Sequence, residues 1–260
     1  MILTHDDAGT GPAVLLVHAG VADRRMWDPM VPALSHAFRV IRPDLRGFGD
    51  TPLPGGRYAD ADDLAALLDH LGVPDAVVVG SSFGGRVALE LVTAHPGRVR
   101  ELVLLNPDLD GIEPTATATA TAFGAEEDRL LDAGDLEGAV RLNVDTWLGP
   151  DADLSVREAL AAMQRRAFEV RLAADAGDAP PLSRRPTVDL DAVVVPTLVV
   201  TGGHDMDHFR HLAAHIGAGV GGAEIVDLDW AGHLPALERP DVVQALLLDV
   251  LRDDPAVHAP

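Results

Sequence analysis

The 260-residue chain contains no cysteine, and its twenty basic residues are all arginine, with no lysine. Without thiols it can form no disulfide, thiol nucleophile or cysteine-ligated metal site, and the composition fits a reducing compartment. Without lysine it can form no Schiff base and has neither an anchor for pyridoxal phosphate nor a lysine-bearing phosphate loop. Positive charge is scarce as a whole. Forty-one acidic residues against twenty basic leave a formal charge of −21, which argues against nucleic acid and anionic membranes as partners. No apolar run approaches the ~18 residues of a spanning helix. Residues 1–7 also lack the positive region of a secretory signal. The expectation is an unprocessed, soluble, cytoplasmic protein with a well-solvated acidic surface.

The most informative stretch lies at residues 75–85, Asp-Ala-Val-Val-Val-Gly-Ser-Ser-Phe-Gly-Gly. Val77, Val78 and Val79 suit a strand buried on both faces. Gly80-Ser81-Ser82-Phe83-Gly84 then spells G-x-S-x-G, and the register admits only Ser82, because Ser81 has Val79 two residues before it. A strand turning directly into a helix here forces Ser82 into a strained conformation. It also crowds the flanking positions, so that glycine is needed at both. The turn exposes the Ser82 hydroxyl at a helix N-terminus, where free amides and the helix dipole favour developing negative charge.

Around this centre, strands and helices alternate. Strands are expected at 2–4, 13–17, 38–45, 77–79, 99–105, 193–201 and 223–228, and helices at 26–36, 60–71, 86–94, 207–216 and 240–251. Such spacing indicates parallel β-α-β units, hence an α/β fold with a mostly parallel sheet whose ligands sit at the carboxyl ends of the strands. The rhythm breaks over residues 108–188, where an alternating Thr-Ala stretch at 115–122 reads as a linker or weak helix. Helical patterns follow at 126–131, 136–148 and 155–174, with no convincing strand. This segment reads as an all-helical insertion. The core is then 1–107 with 189–260, and 253–260 is a frayed tail.

Serine needs a base to remove its proton, and that base needs an orienting acid. Later strand ends offer Asp205 and then His233, with Asp108 and Asp207 as competing acids.

Five motifs carry a resemblance. They are Leu15-Leu16-Val17-His18-Ala19-Gly20, Asp44-Leu45-Arg46-Gly47-Phe48-Gly49, Gly80-Ser81-Ser82-Phe83-Gly84-Gly85, Thr201-Gly202-Gly203-His204-Asp205 and Ala231-Gly232-His233-Leu234-Pro235. With them the chain resembles α/β-hydrolase-fold enzymes of the cap-bearing esterase and lactonase type, and is similar in layout to enol-lactone hydrolases and cofactor-free perhydrolases. The resemblance implies a sheet of seven or eight strands with an inserted helical cap over the site. It implies Ser82 as nucleophile, His233 as general base and then acid, Asp205 as its orienter, and an oxyanion hole from the backbone N–H groups of Gly20 and Phe83. The chain departs from the family pattern in having Ala19 after His18 and Gly203 before the acid loop, where the family usually has glycine and glutamate.

The expected activity is a serine hydrolase opening a carboxylic ester or lactone of a small molecule through an acyl-enzyme, with no cofactor and no metal. Carbon–carbon bond hydrolysis, perhydrolysis or a cyclase-like step are alternatives on the same triad, and a non-catalytic binding protein is a further one. A second copy of the chain is a candidate partner. Other residues have plainer readings: His18, Asp44 and Arg46 as loop braces, and Trp27 as core. Arg165, Arg166 and Arg171 read as a solvated helix face, contact with a substrate carboxylate being the sharper alternative. His204, His208, His211 and His215 form one helical stripe, read as a solvated or packed face rather than a zinc site.

Overall fold

The structure, a computed structural model, describes residues 1–112, 117–175 and 180–252. Its strands are β1 (His5–Ala8), β2 (Ala13–Val17), β3 (Arg39–Pro43), β4 (Gly56–Tyr58), β5 (Ala76–Ser81), β6 (Val99–Leu105), β7 (Pro181–Ser183), β8 (Thr197–Gly202) and β9 (Glu224–Leu228). The helices are α1 (Val31–Leu34), α2 (Asp60–His70), α3 (Phe83–Ala94), α4 (Ala118–Asp132), α5 (Leu136–Trp147), α6 (Leu154–Asp175), α7 (Asp207–Gly219), α8 (Pro235–Glu238) and α9 (Pro240–Arg252).

Seven strands form one sheet in the order β1-β3-β2-β5-β6-β8-β9, parallel throughout except for β1. The β-branched run of β5 sits at the centre, with Val78 opposite Leu15 on one side and Leu102 on the other. Side chains alternate across the sheet, so the apolar runs feed two cores. Val14, Leu16, Val77, Val79 and Val103 face one core with Trp27, Met30 and α9, and this core continues into α5 and α6. Leu15, Val17, Val78 and Leu102 face the other, against α2, α3 and α7. Each fully buried valine or leucine stabilises the fold by ~1.5–3 kcal/mol.

Three local differences from the sequence expectations have physical causes. The N-terminal strand is not at 2–4 but at His5–Ala8, pairing antiparallel with β3 through His5↔Pro43 and Ala8↔Val40. It is a polar edge strand without an apolar pattern. Residues 26–36 do not form one helix, since Pro29 and Pro32 lack amide donors. A 3₁₀ turn at Arg24–Trp27 and the short α1 replace it, while Trp27, Met30 and Leu34 remain fully buried. The segment 108–188 is not wholly helical, for β7 pairs in parallel with β4 through Gly56↔Pro181 and Tyr58↔Ser183. Three-residue strands carry too little periodicity to be seen. The Thr-Ala stretch is helical from Ala118 onward, with the Thr117 hydroxyl capping α4; its first two residues, like the tail 253–260, lie outside the described residues.

A cluster of charge surrounds α3, buried at Arg86 and Glu90 and half exposed at Asp110 and Arg185. Arg86 on α3 faces Glu90 at 3.6 Å and Asp108 at 2.9 Å, and Arg185 pairs with Asp110 at 2.7 Å. Burial raises the Glu90 carboxyl to about 7, opposed by Arg86, and raises Asp60 to about 6, with Asp63 adding repulsion. These acids bind protons more tightly in the folded chain than in the unfolded one. Their contribution to stability is therefore full below the ordinary carboxylate range and is lost as pH rises towards 7. Removing the Glu90 charge should relieve that loss. In thermal melts, Glu90→Gln is expected to gain on the native protein between pH 5 and pH 8. An equal difference at both pH values would contradict the assignment.

Candidate active site

Ser82 sits between the end of β5 and the start of α3 with φ 52° and ψ −116°, a region that side chains rarely enter. The turn is tight enough that a Cβ on Gly80 would strike the Gly84 carbonyl, and one on Gly84 would strike the carbonyl of Val17. The two glycines of the motif are thus required by backbone crowding. The strained residue is held from both ends. Its N–H donates to Leu105 O at 2.9 Å, and its carbonyl accepts from the amides of Gly85, Arg86 and Asp108.

Three strand ends converge on its hydroxyl. His233 follows β9 and is 2% exposed, and its Nε2 lies 2.7 Å from Ser82 Oγ. The Nδ1 of the same ring lies 2.8 Å from Oδ2 of Asp205, which follows β8 and whose side chain is 1% exposed. A carboxylate only accepts, so Nδ1 carries the hydrogen and Nε2 is left to accept the serine proton. The remaining carboxylate oxygen accepts from Met206 N at 2.7 Å. Competing acids are engaged elsewhere: Asp108 with Arg86, and Asp207 with the Thr117 hydroxyl at 2.7 Å.

Asn106 is a residue whose part the sequence does not disclose. It ends β6 at φ 47°, and its Nδ2 donates to Asp205 Oδ2 at 2.6 Å and to Gly232 O at 3.1 Å. One amide therefore joins the acid to the loop that carries the histidine. Trp147 of α5 and Phe209 of α7 flank the imidazole, with ring centroids at 4.8 Å and 4.2 Å. Trp147 belongs to the apolar set of the 108–188 segment from which the sequence draws pocket-lining residues, whereas only its position in space marks Phe209.

No acceptor among the described residues takes the N–H of Gly20 or of Phe83. The two residues are packed together, since a Cβ on Gly20 would lie 3.2 Å from Phe83 Cβ. His18 braces this loop. Its Nδ1–H donates to Ala19 O at 2.9 Å and its Nε2 accepts from Leu45 N at 2.9 Å, while burial holds its pKa below the usual value, so the ring is neutral. Asp44 takes the amides of Arg24 at 2.8 Å and Asp50 at 2.9 Å, and Arg46 forms a forked pair with Asp63.

A cavity of about 480 Å³ opens beside Gly20, walled by Val21, Phe48, Trp147 and Phe168. Arg171 lines it, whereas Arg165 is paired with Glu137 and Arg166 donates to Gly49 O at 3.0 Å. Among the described residues no three histidines or carboxylates are grouped to hold a metal ion, and His208 of the stripe packs on Phe209.

The model of the alpha/beta hydrolase family matches residues 14–246. The chain belongs to that family. A pimeloyl-acyl-carrier-protein methyl ester esterase of Neisseria meningitidis is 31% identical to it, over 91% of this chain and 91% of that one. A 2-hydroxymuconate semialdehyde hydrolase of a Pseudomonas species is 39% identical, over 48% of each chain. Among solved structures, a thermophilic esterase from Thermogutta terrifontis, with malate bound, superposes with a TM-score of 0.78 at 28% identity, covering 99% of this chain and 94% of that one. The seven-stranded sheet of this α/β hydrolase is thus a shared architecture.

Asn106→Leu removes a donor from the buried Asp205 carboxylate and leaves Gly232 O unpaired. The expected loss is about 2 kcal/mol, a fall in melting temperature of roughly 4–8 °C. An unchanged melting curve would contradict the bridging part given to this amide.

Proposed function

We propose that the protein is a serine hydrolase that opens a carboxylic ester or lactone of a small organic molecule through an acyl-enzyme on Ser82. The observation that carries the reading is the unbroken relay from Ser82 Oγ through His233 to Asp205, at 2.7 Å and 2.8 Å. In the first step, His233 Nε2 takes the hydroxyl proton as Oγ bonds to the carbonyl carbon, and Asp205 steadies the resulting imidazolium. The charge that develops on the carbonyl oxygen is met by the free amides of Gly20 and Phe83, each worth ~3 kcal/mol of transition-state stabilisation. Collapse breaks the bond to the leaving alcohol, which receives the proton from Nε2. Water then repeats the sequence against the acyl group and frees Ser82.

Helices α4–α6 act as the cap. Trp147 and Phe168 wall the cavity from that side and, with Val21 and Phe48, provide apolar surface for an acyl chain in a lining that also carries Arg46, Arg171 and Arg185. Gln164, 3% exposed and lining the same cavity, has no hydrogen bond to its amide among the described residues, which leaves it to a polar group on the substrate. Hydrolysis of a carbon–carbon bond on the same triad is the second reading, favoured by the likeness to the semialdehyde hydrolase. The substrate is the chain's small-molecule partner in either case.

A fluorophosphonate probe separates catalysis from mere binding. A stoichiometric adduct on Ser82 is expected, with turnover of p-nitrophenyl or lactone substrates. Ser82→Ala should fold normally and lose activity by ~10⁴-fold or more. Substantial activity in Ser82→Ala would refute the nucleophile, and a native protein that takes no label would favour a binding role.

A further inference from the structure

The loop that carries His233 is fastened at three consecutive amides. Gly232 N–H donates to the Glu238 carboxylate, with Oε2 at 3.0 Å and Oε1 at 3.1 Å, and Leu234 N–H reaches Oε1 at 3.3 Å. Between them, His233 N–H donates to the carbonyl of Trp147 at 2.9 Å. Gly149, just beyond the end of α5, packs directly against the same carboxylate. One half-buried carboxylate therefore holds both sides of the histidine and abuts the chain leaving α5.

The seam is close. A Cβ on Gly149 would run into Glu238 Oε2 and lie 3.0 Å from Gly232 N, and one on Gly232 would meet Leu148 C at 2.8 Å. On the α5 side, Trp147 Nε1–H donates to Asn143 Oδ1 at 2.8 Å, and Asn143 Nδ2 donates to Glu127 of α4 at 2.6 Å. The histidine loop is thus continuous, bond by bond, with two helices of the segment between β6 and β8.

We propose that Glu238 is a positioning residue that clamps His233 to the end of α5, so that the imidazole accepts the Ser82 proton only while helices α4–α6 are docked. The proposal rests on the serine-hydrolase reading. Amide bonds to a carboxylate are charge-assisted and short-ranged, which suits a clamp. A shift of about 1 Å in a reacting group costs ~10²-fold in rate, so releasing this loop should register at Ser82 itself. Burial raises the Glu238 carboxyl while the amides of Gly232, Gly149 and Leu234 oppose the shift, as expected of a carboxylate kept in place by its donors.

The test compares native protein with Glu238→Ala, Glu238→Gln and Gly149→Ala, the last pressing a methyl group on the same carboxylate from the α5 side. The readouts are the rate of Ser82 labelling by a fluorophosphonate, kcat and KM on a p-nitrophenyl ester, and the melting temperature. Labelling rate and kcat are expected to fall together by about tenfold or more in Glu238→Ala, and in the same direction but less in the other two. KM should stay within about threefold of native, because neither Glu238 nor Gly149 lines the cavity. Should Glu238→Ala not fold, the milder pair still decides. A lower melting temperature with native labelling rate and kcat would make Glu238 a purely structural cap of α8 and overturn the proposal. A rise in KM alone would also overturn it. If native protein itself neither labels nor turns over, the serine-hydrolase reading fails instead.

Discussion

Everything in the molecule is subordinate to a close approach of three backbones. The end of β2, the end of β5 and the first turn of α3 meet where Gly80 and Gly84 leave no room for a Cβ, and Ser82 is held between them at positive φ. A conformation of that kind costs ~1–3 kcal/mol and persists only where the surroundings over-determine it. The surroundings here are the buried runs of β2, β5 and β6, whose alternate side chains fill two cores at once. Packing energy drawn from both faces of the sheet is what keeps one hydroxyl raised above its edge.

A second layer of organisation is electrostatic. In a chain with twice as many acids as bases, the loops at the strand ends are fixed by arginine forks and by amides on buried carboxylates. Asp44 gathers the 44–50 loop, Arg46 binds it to α2 through Asp63, and Arg86 ties α3 to Asp108. At Asp60 and Glu90 burial outweighs the neighbouring arginines and lifts both carboxyls. The neutral His18 belongs to the same bracing and does no proton transfer, since both of its ring nitrogens are engaged by backbone groups.

How much of this was legible depended on the range of the interaction concerned. Val77 to Val79 and the glycines around Ser82 could be read because burial on both faces and backbone crowding are local demands, written in adjacent residues. Asp205 and His233 were legible as strand-end residues in a suggestive order, and the fold brings them within hydrogen-bond distance of each other and of Ser82. Short pieces were not legible. The polar β1 and the three-residue β4 and β7 have no periodicity of their own and exist because a neighbouring strand or segment pairs with them. Pro29 and Pro32 are visible in the sequence, yet apolar spacing across 26–36 outweighs them on paper while the backbone obeys them. Asn106 and Glu238 are ordinary polar residues until the strands are assembled; Asn106 then bridges segments far apart along the chain, and Glu238 fastens the histidine loop where Gly149 packs against it.

The proposed chemistry is tested most directly by intact-mass spectrometry of the protein, acid-quenched during turnover of an ester and followed by peptide mapping. A gain equal to the acyl group, carried by the peptide that contains Ser82 and lost as the substrate is exhausted, is the result predicted. Steady turnover with no acyl mass on that peptide, or with the mass on another residue, would contradict it.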